Sequence, residues 1–133
     1  MDSNILEKVL QAIELSNSST RAYYNLDNGN VVWISEFMFG DEYEKLSEKI
    51  ESGNYVEMPT NFDVNEYKIM VDFIDTVGNS VIKNELSNAI IGKGAFARFK
   101  SKINYYHIDN LWYSYRDNVY IKLAQKWIDE HIR

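Results

Sequence analysis

The sequence predicts an α+β fold, mainly helical, with about six helices and a small two- or three-stranded antiparallel sheet built on a hairpin. Three observations carry that expectation. Asn28-Gly29 separates two runs rich in aromatic and β-branched residues, and this dipeptide suits a tight hairpin because both turn residues tolerate positive φ. Most of the remaining chain repeats apolar residues at spacings of three and four, the period of a helix with one buried face. A single proline interrupts it. A length of 133 residues suits one domain with a moderate core, so 1–133 is expected to form a single domain.

The elements follow in order. Ile5, Val9, Ala12 and Ile13 recur at helical spacing and predict a helix over residues 3–15. The polar stretch "SNSST" breaks it. "RAYYNLDNGNVVWIS" then forms the hairpin, and a two-residue turn sets Leu26 opposite Val31 and Tyr24 opposite Trp33. One face therefore carries Tyr24, Leu26, Val31 and Trp33, and that face is expected to be buried. "DEYEKLSEKIESG" is a charged helix stopped by Gly53, and "NYVEMP" supplies a short third strand closed by Pro59. In "FDVNEYKIMVDFIDTV", Asp63 and Glu66 have capping-box spacing and Phe62 and Tyr67 the spacing of a hydrophobic staple. Tyr67, Met70, Val71 and Ile74 form its expected inward stripe. "GNSVIKNELSNAII" is a further helix ending at Gly92. "AFARFKSKINYYHI" follows, with Phe96, Phe99, Ile103 and Tyr106 on its core side. The last helix, "DNLWYSYRDNVYIKLAQKWIDEHIR", is capped by Asp109. Its apolar arc holds Leu111, Trp112, Tyr115, Val119, Leu123 and Trp127.

Composition excludes several classes. Hydrophobic residues make up 45% and charged residues 26%, as in ordinary globular chains. No apolar run reaches about 18 residues, so no membrane span is expected. The first residues read as an amphipathic helix and not as a secretory signal, and the expected location is cytoplasmic. Without cysteine there is no disulfide, thiol nucleophile or thiolate metal site. His107 and His131 are the only histidines and have no recognised ligand spacing. No metal or cofactor is implied. The net charge of −6 is unevenly placed. Residues 1–78 hold 5 Lys and Arg against 15 Asp and Glu, net −10; residues 79–133 hold 9 against 5, net +4. Such asymmetry either complements itself within the fold or marks a surface for a charged partner.

The stretch "AIIGKGAFARFK" carries the most chemistry. A helix N-terminus presents unpaired amides and partial positive charge, and small residues let an anion approach them. Gly92, Lys93, Gly94 and Ala95 supply that opening, and Lys93, Arg98, Lys100 and Lys102 place +4 in ten residues free of acids. Arg98, Lys102 and Tyr105 share one helical face. The spacing lacks the terminal Lys-Ser/Thr of a P-loop and the preceding strand of a dinucleotide fingerprint. The alternative is a joint between helices, with Gly92 in a left-handed conformation and the cations solvated. Arg116 lies inside the apolar arc of the last helix. It either pairs with an acid such as Asp72 or Asp75 or caps the carbonyls of a helix end, or it lines a cleft with Trp112 and Tyr115 and grips an anion bidentately.

At Gly92, Lys93, Gly94, Ala95, Phe96, Arg98, Phe99 and Lys100 the chain resembles the bacterial Uncharacterised Protein Family 0158. The resemblance continues through Trp112, Tyr113, Tyr115, Arg116, Asp117, Ala124 and Trp127. Ala97 departs from the pattern, where many members carry a second base. The resemblance covers most of the chain and supports the fold class. It implies no established activity.

Three functions compete. The first is a non-catalytic module binding a phosphate-bearing ligand, a nucleotide or nucleic acid. Gly92, Lys93, Gly94, Arg98, Lys100, Lys102 and Arg116 would hold the anion, with Trp112 and Tyr105 as stacking surfaces. The low isoelectric point opposes tight nonspecific DNA binding. The second is an interaction or regulatory domain whose acidic N-terminal half docks a basic protein partner, or which forms a homodimer. A small enzyme with a carboxylate near Arg116 ranks last, because no nucleophile or metal cluster is visible.

Overall fold

A computed structural model describes residues 3–61 and 63–132. In chain order the elements are α1 (Ser3–Leu15), β1 (Thr20–Asn25), β2 (Val31–Ser35), α2 (Asp41–Ser52) and β3 (Tyr55–Glu57). They continue with α3 (Glu66–Thr76), α4 (Ser80–Ala89), α5 (Ala95–Tyr105) and α6 (Asp109–His131). This is the expected mainly helical α+β architecture, with a three-stranded antiparallel sheet in the order β2-β1-β3. No described helix is long and apolar enough to cross a membrane. The backbone groups into two compact units: the chain up to Val64 together with the chain from Tyr120 onward, and Asn65–Val119.

The first unit is built on the hairpin, whose register differs from expectation. Tyr24 pairs with Val31 and Ala22 with Trp33, because the turn is a four-residue loop and not a two-residue one. The Asn25 amide donates to Asn30 O at 2.8 Å, and the Gly29 amide to Asn25 O at 2.8 Å. The buried Asn25 side chain holds the loop, its Oδ1 accepting from the Asp27 and Asn28 amides at 2.8 and 3.1 Å. The slip is two residues, so Tyr24, Val31 and Trp33 keep a common face; an odd slip would have reversed them. Leu26 leaves the sheet and lies exposed in the loop.

Tyr24 is buried on that face, and Trp127 from α6 meets its ring edge-on with centroids 6.3 Å apart. Trp127 Nε1 also donates to Glu57 O at 3.1 Å. Val9, Ala12 and Ile13 of α1 are fully buried. The opposite face carries Arg21, Tyr23, Val32, Ile34 and Glu57, and α2 lies beside β2 there.

The second unit is a helical cluster around Phe73. Its ring contacts Phe99, Trp112 and Tyr115 edge-on, with centroids 6.1, 5.4 and 5.6 Å away, and Phe99 meets Trp112 at 4.8 Å. Phe73 corrects the expected α3 stripe. The buried residues are Ile69, Met70, Phe73 and Ile74, whereas Tyr67 is 50% exposed and Val71 also faces outward. Two overlapping arcs were available, sharing Met70 and Ile74; the aromatic cluster selects the one that contains Phe73.

The expected capping box is also corrected. Asn65 caps α3, its side chain accepting from the Lys68 amide at 3.0 Å. Asp63 instead exchanges hydrogen bonds with Thr60, at 3.2 Å to its amide and 3.1 Å from its own amide to Thr60 Oγ1. Phe62 of the expected staple lies outside the described residues. The arc of α6 is rotated relative to expectation. Trp112, Tyr120, Ala124, Trp127 and Ile128 are buried while Leu111 and Leu123 are exposed, and Asp109 is the first helical residue.

Candidate functional site

The glycine-lysine-glycine turn is an ordered joint with both glycines in the left-handed region, at φ 78° each. Gly94 precedes α5, and no side chain caps that helix. Residues 91–94 are exposed, so the turn faces solvent. The guanidinium of Arg98 folds back over it. Nε donates to Ala89 O at 2.8 Å, Nη1 to Lys93 O at 2.5 Å and Nη2 to Ile91 O at 2.6 Å. Carbonyls at and just past a helix end lack intrahelical donors, and one planar fork serves three of them here. A side chain at position 94 would place its Cβ 2.9 Å from Arg98 Nη1, the movable end of that side chain, so it is the φ of 78° that requires glycine.

The other expected anion ligands are dispersed among different tasks. Lys100 Nζ sits 5.0 Å above the Phe96 ring, which is itself exposed and not part of the core. Lys102 and Arg98 line a cavity of about 330 Å³ with Glu85, whose carboxylate opposes anion entry. Trp112 is 0% exposed, walled by Phe73 and Phe99, so its expected stacking role is corrected to a core role. Arg116 is partly buried beside Trp112 in the arc, as its spacing indicated, but its partner is Glu66 at 3.4 Å and not Asp72 or Asp75. Asp72 pairs with Lys68 at 2.8 Å on the surface. Tyr105 is exposed and meets Tyr106 edge-on. His107 takes φ 57° at the α5–α6 joint, and the His131 ring stacks on Trp127. Gly92, Lys93 and Gly94 remain together at an open surface, with the exposed Arg98 folded over them and its guanidinium engaged by carbonyls of the joint.

A different surface lies in the first unit. Phe37 and Phe39 are 71% and 90% exposed, on the segment leading into α2. The first turn of α2 adds Asp41, Glu42 and Glu44, and no residue of α2 is buried. Between α2 and the Arg21–Ile34 face of the sheet is a cavity of about 300 Å³ lined by tyrosine, serine, isoleucine and glutamate side chains. The charge pattern marks α2 only as a charged helix within an acidic half of the chain, and it does not single out "EFMFGDEYE". Two phenylalanines beside a glycine, with acids around them and no periodic partner, are the signal that was present.

Among the described residues no three or more His, Asp or Glu side chains are grouped to hold a metal ion. Fold and surfaces together define an α+β module with an acidic, aromatic-edged face. The chain belongs to the uncharacterised protein family UPF0158, which it matches over residues 2–132. No curated protein and no solved structure matches it.

Proposed function

We propose that this protein is a non-catalytic interaction module whose acidic N-terminal part docks a basic segment of a protein partner, in the cytoplasm. The observation that carries this is the exposure of Phe37 and Phe39 beside Asp41, Glu42 and Glu44. Large aromatics left in water next to fixed negative charge suit a partner that is both apolar and cationic. The net charge of −10 over residues 1–78 adds long-range attraction for such a partner. The commitments of Arg98, Arg116 and Trp112 to internal contacts weigh against the phosphate-binding alternative.

That alternative keeps one supporting observation, the exposed Gly92-Lys93-Gly94 opening of α5 without a side-chain cap. One set of binding measurements separates the two. The probes are a labelled arginine-rich nonapeptide and heparin, followed by fluorescence anisotropy and column retention. The peptide should bind, lose affinity with added salt, and bind about tenfold or more weakly to Phe37→Ser/Phe39→Ser. Heparin retention abolished by Lys93→Glu, with no binding of the peptide, would reverse the assignment.

A further inference from the structure

We propose that the cavity between α2 and the sheet receives one cationic side chain of that basic segment, an arginine guanidinium or a lysine ammonium. The proposal deepens the docking function above and rests on it. The cavity has the size of about ten water molecules at roughly 30 Å³ each, enough for a charged terminus with part of its stem. It is formed by this chain's own secondary structure, with Tyr23 and Ile34 from the sheet and Tyr43, Ile50 and Glu51 from α2, and with Glu36 at the end of β2.

Each wall suits one part of such a side chain. Ile34 and Ile50 offer apolar surface to the alkyl stem. Tyr23 and Tyr43 line the cavity with aromatic rings, a residue type that attracts cations. Glu36 and Glu51 offer carboxylates, and Ser19 Oγ donates to Glu36 Oε1 at 3.0 Å, which fixes that carboxylate. Arg21 also lines the cavity, and its charge would repel a cation if it stood alone. It is instead bound to Glu57 on the neighbouring strand, so the pair is neutral and the two remaining glutamates set the sign. The same two carboxylates argue against phosphate as the occupant.

The packing of α2 gives an independent reason to expect an occupant. A helix laid on a sheet ordinarily seals its apolar stripe. Here Leu46, Ser47 and Ile50 are only partly covered and α2 has no buried residue. Space stays open beneath α2 that the chain's own side chains do not fill.

The test uses the full chain and the labelled arginine-rich nonapeptide, with arginine-to-alanine versions of it and N-acetylarginine amide as the minimal probe. Glu36→Gln/Glu51→Gln should weaken the peptide by about tenfold or more and leave the melting temperature unchanged. Amide resonances of Ser19, Tyr23 and Tyr43 should shift on titration with N-acetylarginine amide, and inorganic phosphate should leave them still. If the glutamine variant binds the peptide normally while Phe37→Ser/Phe39→Ser does not, the docking face stands and the cavity assignment is overturned. If neither variant changes binding, the docking function itself is overturned. Phosphate-induced shifts at Ser19 and Tyr43 would replace the cation by an anion and also overturn the assignment.

Discussion

Tyr23 is half-covered on the sheet face beside α2, one residue from the buried Ala22 and Tyr24. Burial first, then the charge of Glu57, pushes its phenol above the ordinary value of 10.0, while Arg21 pulls the other way. The unfolded chain then loses this proton at lower pH than the folded chain does. Between the ordinary value and the raised one, the native state binds more protons, so stability falls as pH rises through that window. Below it the contribution is complete. The difference between the wild-type and Tyr23→Phe absorbance titrations near 295 nm should be a phenol that ionises above the ordinary value, and Tyr23→Phe should flatten the alkaline decline of the urea midpoint. A difference curve centred at or below the ordinary value would contradict this. Neither the window nor the partner was legible in the sequence, because Tyr23 and Glu57 meet only through the β1–β3 pairing. The Asn25 turn is similar at shorter range: the Asn28-Gly29 signal marked the hairpin, but a buried Asn three residues earlier decided its length.

At the level of elements, periodicity predicted where helices run better than which way they face. α1 and α2 fall on their expected spans because caps, breaks and charge patterns are local. α3 and α6 are rotated relative to expectation because each offers two overlapping apolar arcs, and the choice rests on ring contacts among Phe73, Phe99 and Trp112 across separate helices. The α4–α5 joint shows how the candidate site changed character. Its glycines and basic residues were visible, but the direction of the Arg98 side chain was not. In the fold that guanidinium closes the end of α4 through Ala89 O and Ile91 O and the turn through Lys93 O. Arg98→Ala removes three charge-assisted bonds from partly exposed carbonyls and should cost about 1–3 kcal/mol in stability. Arg98→Lys should recover only part of it, since a single ammonium cannot reproduce the fork. Gly94→Ala should show a comparable loss, because it puts a side chain on a backbone held at φ 78°. Urea denaturation of the three variants checks this; a wild-type midpoint for Arg98→Ala would mean the fork is unused in solution.

Across the whole molecule, what the sequence withheld is long-range closure. α6 begins within the Asn65–Val119 unit, and its residues from Tyr120 onward belong with the sheet unit. Trp127 is the residue that makes this concrete: it packs on Tyr24 and donates to Glu57 O, 103 and 70 positions away in the chain. Nothing in its local pattern names those partners; the sequence places it only on an apolar arc. The three tryptophans allow the consequence to be read separately, since Trp33 and Trp127 lie in the sheet unit and Trp112 in the other. Trp127→Ala removes a buried aromatic and should cost about 3–5 kcal/mol, whereas Trp127→Phe forfeits chiefly the indole hydrogen bond and should cost about 1–2 kcal/mol. In a chain truncated after Val119, Tyr120, Ala124, Trp127 and Ile128 are lost from the sheet unit, and Trp33 emission should move to the red as its face is uncovered. A truncated chain whose Trp33 emission and near-ultraviolet dichroism stayed native would show that the sheet unit holds its core without the returning helix. The dependence is expected because the tyrosine that anchors that face, Tyr24, has Trp127 as its edge-on neighbour.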